Sequence, residues 1–589
     1  MVLKNNVYYI SIMILLPIIF LLIFGRFGLE DADSGFIVGM GWRIFNGEIP
    51  YRDFYYVRPI ISPLISYIFL NIFPDYAQIL LMRLVNYYQL MIQVFLTVFS
   101  LSKYYNFNLL KLNIYIFSIL CFLITSIGTL YFQWHTTDGI FFAVIGFFLI
   151  SYFKNKNFFI FILTGIFFGI SALTKQNFLV VPILGFLFVF LQYGIKNSLL
   201  ILCGVFIPFL IFYFYLVDNN IFNIFLIQNK GSTTFNDLFY SGFLSYFIGF
   251  GKIFKYALIS LLLFFLMKFI FNKNKIIFLL LSICLVVFFV YLVLSKPINE
   301  SFFVKVLPVS IIFLFLFFNK KINLNNYKSI FLAVFSAIVF LNSIVFLIID
   351  GSPQLILFDK FLSALIFLAF LYLLFSGKEG IRDHYFLIAL LGVSWGSSIS
   401  WGAMSPLMFF TPIVFLLYFL LHNYLNIFNI KINIYIFVLI ITYVVIVNSK
   451  PYRDDFIWSN DYVDASEISP KLAFIKSSNI KKDKHLELEI ILNKYNKTTI
   501  LPSMPGAYYI HNKINYFSID WPMDVEAAYD RKGLIRDLES CCNYYIVEKK
   551  SFGQPIGKEG KFYSSITDYV LSNFRLYDSS YEFFDIYVK

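Results

Sequence analysis

Charge is unusually scarce in this chain. Only 14% of its 589 residues are Asp, Glu, Lys or Arg, whereas 60% are hydrophobic and 77 are Phe. That scarcity excludes an ordinary soluble globular protein and points to many membrane spans. Histidine and cysteine are sparser still, at five each. Cys121, Cys203 and Cys284 lie in apolar runs and read as core residues, while Cys541 and Cys542 adjoin in a polar tail. No zinc-type spacing exists among them, and no disulfide framework can be argued. No long internal repeat is visible. The glycine pairs Gly39/Gly41 and Gly249/Gly251 lack the strand–turn–helix setting of a phosphate loop. The net charge of +12 comes with no basic stripe or RNA-binding motif, so nucleic acid is not expected as a partner. The first apolar run lacks a small-residue cleavage site and reads as an uncleaved span rather than a signal peptide.

What the chain does have is apolar runs of span length, recurring at 7–24, 77–101, 112–130, 139–153, 158–174, 178–194, 198–217, 253–271, 276–295, 302–318, 329–349, 356–375, 385–401, 406–421 and 433–448. Some are short enough to form re-entrant pairs, so about 13 to 15 spans are expected. The breaks alternate in sign. One set carries Lys103 and Lys111, Lys154 and Lys156, Lys196, Lys273 and Lys275, Lys320 and Lys321, Lys378 and Arg382, and Lys431. The other carries most of the acids, including Glu30, Asp31, Asp33, Asp138, Asp218, Glu300 and Asp350; Lys230, Lys252 and Lys296 break the pattern. The positive-inside rule then puts the N-terminus in the cytoplasm. Residues 25–76 form a first outer loop, 1–448 a transmembrane domain, and the charged segment 449–589 a soluble α/β domain facing outward. In that segment, 471–493 reads as largely helical, 498–501 and 544–548 as strands, and 575–588 as a hairpin around Asp578-Ser579-Ser580.

The first outer loop concentrates the charge that is rare elsewhere. It holds Glu30, Asp31, Asp33, Glu48 and Asp53 beside Arg26, Arg43, Arg52 and Arg58. Apolar residues at near-helical spacing predict a helix over 34–46, capped by Asp33 or Ser34 and ended by Asn46-Gly47 and Pro50. A second short helix is expected over 63–73, and both would lie along the lipid–water boundary. A partly desolvated Asp at such a boundary suits general-base chemistry on a hydroxyl. Asp31 and Asp33 can alternatively share a divalent cation, Mg or Mn. Helix capping and pairing with neighbouring arginines is the plainer reading of any single acid. Arg52, Arg58, Arg83 and Lys175 stand near the outer side, where cations are disfavoured, and are candidates for binding a phosphate. Interfacial snorkelling is their plainer reading. His135 and Asp138 share the short break 131–138 and are candidates for a second acid/base or acceptor site, with Gln176 beside Lys175. A histidine next to Trp134 is more often a packing residue. Asp53 reads as structural, paired with Arg52 at the Pro50 turn, and His511 as ordinary surface.

The sequence Asp33-Ser34-Gly35, a dozen helical residues, Asn46-Gly47-Glu48-Ile49-Pro50-Tyr51-Arg52-Asp53-Phe54, then Pro59 and Pro63, resembles the first outer loop of GT-C-type membrane glycosyltransferases. The similarity is to the bacterial protein O-mannosyltransferase and lipid A aminoarabinose transferase group. Leu173-Thr174-Lys175-Gln176-Asn177 is similar to a segment after a middle span in that group. The resemblance implies a polyprenyl-phosphate-linked sugar donor and a lipid, glycan or protein acceptor at the outer face of a bacterial inner membrane. It puts Asp33 at the position of the general base, with Asp31 as its partner, and Arg52, Arg58 and Lys175 near the donor phosphate. Ser34 stands where many relatives have Glu, leaving open which acid, Asp31 or Glu30, replaces it. A glycolipid flippase or a polysaccharide polymerase or ligase is the competing expectation. The first would need ionisable residues deep in the spans, and the second a large loop later in the chain.

Overall fold

The structure is a computed structural model describing residues 2–105, 107, 113–128, 131–153, 157–229, 385–398, 412–413, 416, 444–445, 448–454, 456–458, 461–524, 526–527, 531–551, 554–555 and 564–589. Each expected span within these residues is a helix. They are α1 (Val2–Phe20, continued by a π turn over Leu21–Gly25), α4 (Gln78–Tyr104), α5 (Ile114–Gly128), α6 (His135–Tyr152), α7 (Phe158–Ala172), α8 (Val180–Tyr193), α9 (Ile195–Asp218) and a helix over Tyr385–Ser398. Between α1 and α4 lie α2 (Asp33–Phe45) and α3 (Ile61–Ile72), and α10 (Phe222–Gln228) follows α9. The expected spans from 253 to 375, and most of the two between 406 and 448, lie outside the described residues.

Among the described residues, five helices are long and apolar enough to cross a membrane: Val7–Gly25, Gln78–Tyr104, His135–Tyr152, Gln176–Tyr193 and Ile195–Asp218. At 1.5 Å per residue, the 27 residues of α4 span about 40 Å, longer than a hydrocarbon core of roughly 30 Å. Outward faces are apolar, as a lipid-facing surface requires: Ile183 is 59% exposed and Ile211 66%. Cys203 belongs to that exposed surface rather than the core, whereas Cys121 is buried as expected. Helices α7 and α9 pack through glycine. A Cβ on Gly165 would sit 2.1 Å from the Ile201 carbonyl oxygen, so only glycine permits this approach. These features make the chain a helical protein of membrane type.

The described residues beyond 449 form a mixed α/β unit. The four strands of its main sheet run in the order β3 (Thr498–Leu501), β4 (Tyr544–Glu548), β8 (Phe584–Val588), β7 (Arg575–Asp578). β3 and β4 are parallel, as their long crossover allows, and β7–β8 is the expected antiparallel hairpin. The small ribbons β1–β2 (Tyr462–Asp464 with Lys476–Ser478) and β5–β6 (Lys550–Ser551 with Gln554–Pro555) flank it. The helix expected from 471 begins only at Asn479 and ends at Lys494. Lys476–Ser478 pairs antiparallel with Tyr462–Asp464 instead, and that pairing satisfies its backbone groups. Cys541 and Cys542 are joined to each other.

The α/β unit is seated on the loop containing α2 and α3. Gly28 N donates to the Lys476 carbonyl at 2.8 Å, and Lys476 N donates to the Arg26 carbonyl at 2.8 Å. Trp42 Nε1 donates to the Lys513 carbonyl at 2.8 Å. Arg43, with its side chain 6% exposed, bonds Asp520 Oδ1 at 2.8 Å and the Phe517 carbonyl at 2.9 Å, and also pairs with Glu48. At the closest approach Gly35 meets Gly506, and a Cβ on Gly35 would lie 2.5 Å from the Gly506 nitrogen. A shallow crevice lined by Trp42, Arg43, Glu48, Tyr508 and Asp520 runs beside this seam and holds none of the candidate residues.

Candidate active site

The first turn of α2 puts Asp33 at the junction of the membrane-type helices and the α/β unit. The helix begins at Asp33, as expected to within a residue, but its cap differs. The Glu30 carboxylate, rather than Asp33 or Ser34, accepts the Ser34 N–H at 2.7 Å. A carboxylate at a helix N-terminus is favoured by the exposed N–H groups and the dipole. Asp33 is thereby left to point elsewhere. Its Oδ2 accepts the Tyr452 hydroxyl at 2.7 Å and lies 3.0 Å from Arg453 Nη2. Among the described residues no hydrogen bond reaches its Oδ1. Arg453 also pairs with Glu30 at 3.1 Å. Burial, then the neighbouring Asp33 charge, push the Glu30 carboxyl above its ordinary value, against the pull of Arg453.

Two cations share this electrostatic neighbourhood. Arg58 follows the Pro50 turn, its guanidinium stacked 5.3 Å from the Phe36 ring. Lys175 lies in the short connection between α7 and α8, outside both helices, and is 8% exposed. Asp33 acts electrostatically on both. Burial, then the Arg58 charge, hold Lys175 down to about 7, against Glu526 and Asp33. Burial pulls Arg58 down as well, but Glu526, with Tyr56 and Asp33, together more than offset it, so the guanidinium keeps its charge. Glu526 grips Arg58 with both oxygens, at 2.7 and 2.5 Å.

An aromatic wall backs the cluster. Phe36 packs against Trp521 at 5.3 Å between ring centroids and against Tyr56 at 6.0 Å. The Tyr56 hydroxyl bonds His135 Nε2 at 2.6 Å. His135 and Asp138 do not occupy an open loop. They form the first turn of α6 and are wholly buried, because the helix starts before the apolar run that marks it in sequence. His135 joins the wall. Asp138 is held away from it, accepting from Gln89 at 3.0 Å and Gln133 at 3.1 Å. Gln176 bonds the Val57 carbonyl at 2.5 Å and Asn229 at 3.0 Å, which ties the Lys175 connection to the loop.

The other candidates lie apart. Arg52 is exposed and pairs with Asp53 at 2.8 Å, while Asp53 also accepts the Ile49 N–H at 2.7 Å, the structural role expected of it. Arg83 is 2% exposed and donates to the carbonyls of Gly25 at 2.8 Å and Gly28 at 2.7 Å, holding the chain as it leaves α1. Asp31 bonds His485 Nε2 at 2.8 Å, and His485 Nδ1 lies 3.1 Å from His511 Nε2. His511 is therefore part of the seam rather than ordinary surface, and burial, then its neighbour His485, lower it to about 3. Asp31 and Asp33 thus point to different partners, His485 for one and Tyr452 and Arg453 for the other. Among the described residues no group of three or more His, Cys, Asp or Glu converges as a metal site.

Tyr56, Tyr452, Arg453, Trp521 and Glu526 were not foreseen. Arg58 and Glu526 are 468 residues apart, and no local spacing announces such a pair. The only sequence signal available was the density of charge just beyond 449. Compared with family models, curated proteins and solved structures, the chain matches none.

Proposed function

We propose that this chain is a membrane-embedded, GT-C-like glycosyltransferase that moves a sugar from a polyprenyl-phosphate donor to a cell-envelope acceptor. The observation that carries the reading is the convergence of Asp33 with two cations, the buried Lys175 and the largely enclosed Arg58, which stacks on Phe36 one turn along α2 from Asp33, beside helices of membrane type. An isoprenoid tail lies in a bilayer, and its phosphate stops at the boundary where Arg58 and Lys175 stand. Asp33 Oδ1 takes the proton from an acceptor hydroxyl. The acceptor oxygen bonds to the anomeric carbon from the face opposite the phosphate, with inversion. The carbon–oxygen bond to phosphate breaks, and the phosphate leaves with the electron pair, stabilised by the cations. The Phe36–Trp521–Tyr56 wall suits an apolar sugar face. In this reading the N-terminus is cytoplasmic, and the loop and the α/β unit face outward from a bacterial inner membrane. No step requires a divalent cation.

Ion-coupled transport of a glycolipid is favoured less. Asp138 and Arg83, two charges within the described membrane-type helices, are engaged by Gln89 and Gln133 and by backbone carbonyls.

The test uses full-length protein in nanodiscs with a polyprenyl-phosphate sugar and envelope acceptors, following release of polyprenyl phosphate. Wild type should turn over. Asp33→Asn should lose turnover by about 10²-fold or more while still binding the donor. Undiminished turnover in Asp33→Asn would refute the base assignment, and glycolipid movement without transfer would refute the class.

A further inference from the structure

We propose that Glu526 is a resident counter-anion of the Arg58–Lys175 site, sitting on the guanidinium face that a phosphate takes and displaced when a phosphate-bearing ligand binds. This rests on the function proposed above and assigns that site a competitor supplied by the α/β unit.

The geometry is that of a phosphate mimic. Glu526 Oε2 and Oε1 receive Arg58 Nη1 and Nη2 at 2.7 and 2.5 Å, so both terminal nitrogens are engaged by one planar anion. Carboxylate and phosphate offer the same pair of oxygens to that fork. The two side chains are 12% and 10% exposed, so water competes little for either partner. Arg58 is fixed from its other sides: its guanidinium stacks on Phe36, and its carbonyl accepts the Tyr51 hydroxyl at 2.7 Å. Movement therefore falls to Glu526. Its backbone is a single turn, in which the Glu526 and Ala527 N–H groups both donate to the Met523 carbonyl at 2.9 Å.

Charge balance points the same way. Arg58, Lys175 and Arg453 stand against Glu526, Asp33 and Glu30, three potential cations against three acids. Adding a phosphate with Glu526 in place would leave excess negative charge in a buried site, which is costly. Release of Glu526 restores the balance and frees both guanidinium nitrogens. A neutral lipid gains nothing from that exchange, so Glu526 also selects for an anionic headgroup.

The experiment titrates full-length protein in nanodiscs with farnesyl phosphate, inorganic phosphate and farnesol. Wild type, Glu526→Gln and Glu526→Asp are compared by calorimetry. Because a resident competitor lowers the fraction of competent sites, Glu526→Gln should tighten binding of both phosphates about tenfold and leave farnesol unchanged. Glu526→Asp, with its shorter reach, should give a smaller gain in the same direction. Such gains support the proposal, and the ratio of the two anions' affinities tells a lipid headgroup from free phosphate as the natural ligand. If wild type binds farnesyl phosphate but both variants bind it equally or more weakly, Glu526 is part of the ligand's support and the proposal is wrong, while the transferase reading survives. If no form binds either phosphate, both fall.

Discussion

Lys175 offers the sharpest test of the phosphate assignment, because its protonation is linked both to folding and to binding. Burial, then Arg58, lower it from 10.5 to about 7. At 1.36 kcal/mol per pH unit, holding the ammonium in the folded protein costs on the order of 5 kcal/mol. The linkage has a definite sign. Below pH 7 the lysine is charged in both folded and unfolded chains, and the full cost is present. Between 7 and 10.5 the unfolded chain binds more protons, so stability rises with pH. Without ligand, Lys175→Met should therefore be more heat-resistant than wild type at pH 6.5, and the difference should vanish near pH 10.5.

A phosphate reverses this preference, because it binds the charged form. Above pH 7 each binding event must recruit a proton, so affinity for farnesyl phosphate should fall about tenfold per pH unit, on the order of a hundredfold between pH 7 and 9. Below about pH 6 affinity should fall again as the phosphate loses its second charge. Lys175→Arg stays charged and should show no decline above pH 7, which separates Lys175 from Glu30, whose carboxyl is also raised. Lys175→Met should bind weakly at every pH. Calorimetric titration of the three forms in nanodiscs from about pH 5 to 9 reads these outcomes. A flat wild-type profile, or the same slope in Lys175→Arg, would refute the reasoning.

Other outcomes follow from the seam between loop and α/β unit. Arg43→Met removes the cation paired with Asp520, whose side chain is 2% exposed and keeps a bond from Asn515 at 2.6 Å, and should loosen the seating by about 3 kcal/mol, read as faster proteolysis just after residue 448. The double variant Arg43→Met, Asp520→Asn should recover part of that loss. Gly35→Ala drives a Cβ into the Gly506 backbone and should destabilise the same contact, whereas Gly47→Ala meets open space and should cost only about 1–2 kcal/mol, from its φ of +87°. Thermal melts of the two glycine variants should differ accordingly. Tyr56→Phe removes the bond to His135 and should cost about 1 kcal/mol of stability without altering the slope of phosphate binding with pH.

How much could be read in advance depended on the range of the interaction. The helix of the first outer loop was legible because its signals are local: apolar spacing from Phe36 to Phe45, a terminating Asn46-Gly47, and a Pro that cannot continue it. The strands at 498–501 and 544–548 and the hairpin at 575–588 were legible for the same reason. The start of α6 was not. His135 and Asp138 look like loop residues until a neighbouring Tyr56 and two glutamines satisfy them inside the protein. Nor was the helix start at 479, where β1 captures a segment whose own composition favours a helix.

The candidate site divides in the same way. Sequence alone determined the membrane character, since a chain this poor in charge has too little polar surface to cover so much apolar side chain in water. It also determined that Asp33, Arg58 and Lys175 were worth watching, since charge is rare there and each breaks a local pattern. Tertiary structure alone decided which of them meet. It brought Lys175 to a loop more than a hundred residues earlier, turned Arg83 and Arg52 to structural tasks, and set Glu526 and Arg453 against Arg58 and Asp33 from the far end of the chain. Electrostatic partners act through space at a few ångströms, and contacts hundreds of residues apart leave no periodicity in the sequence that makes them.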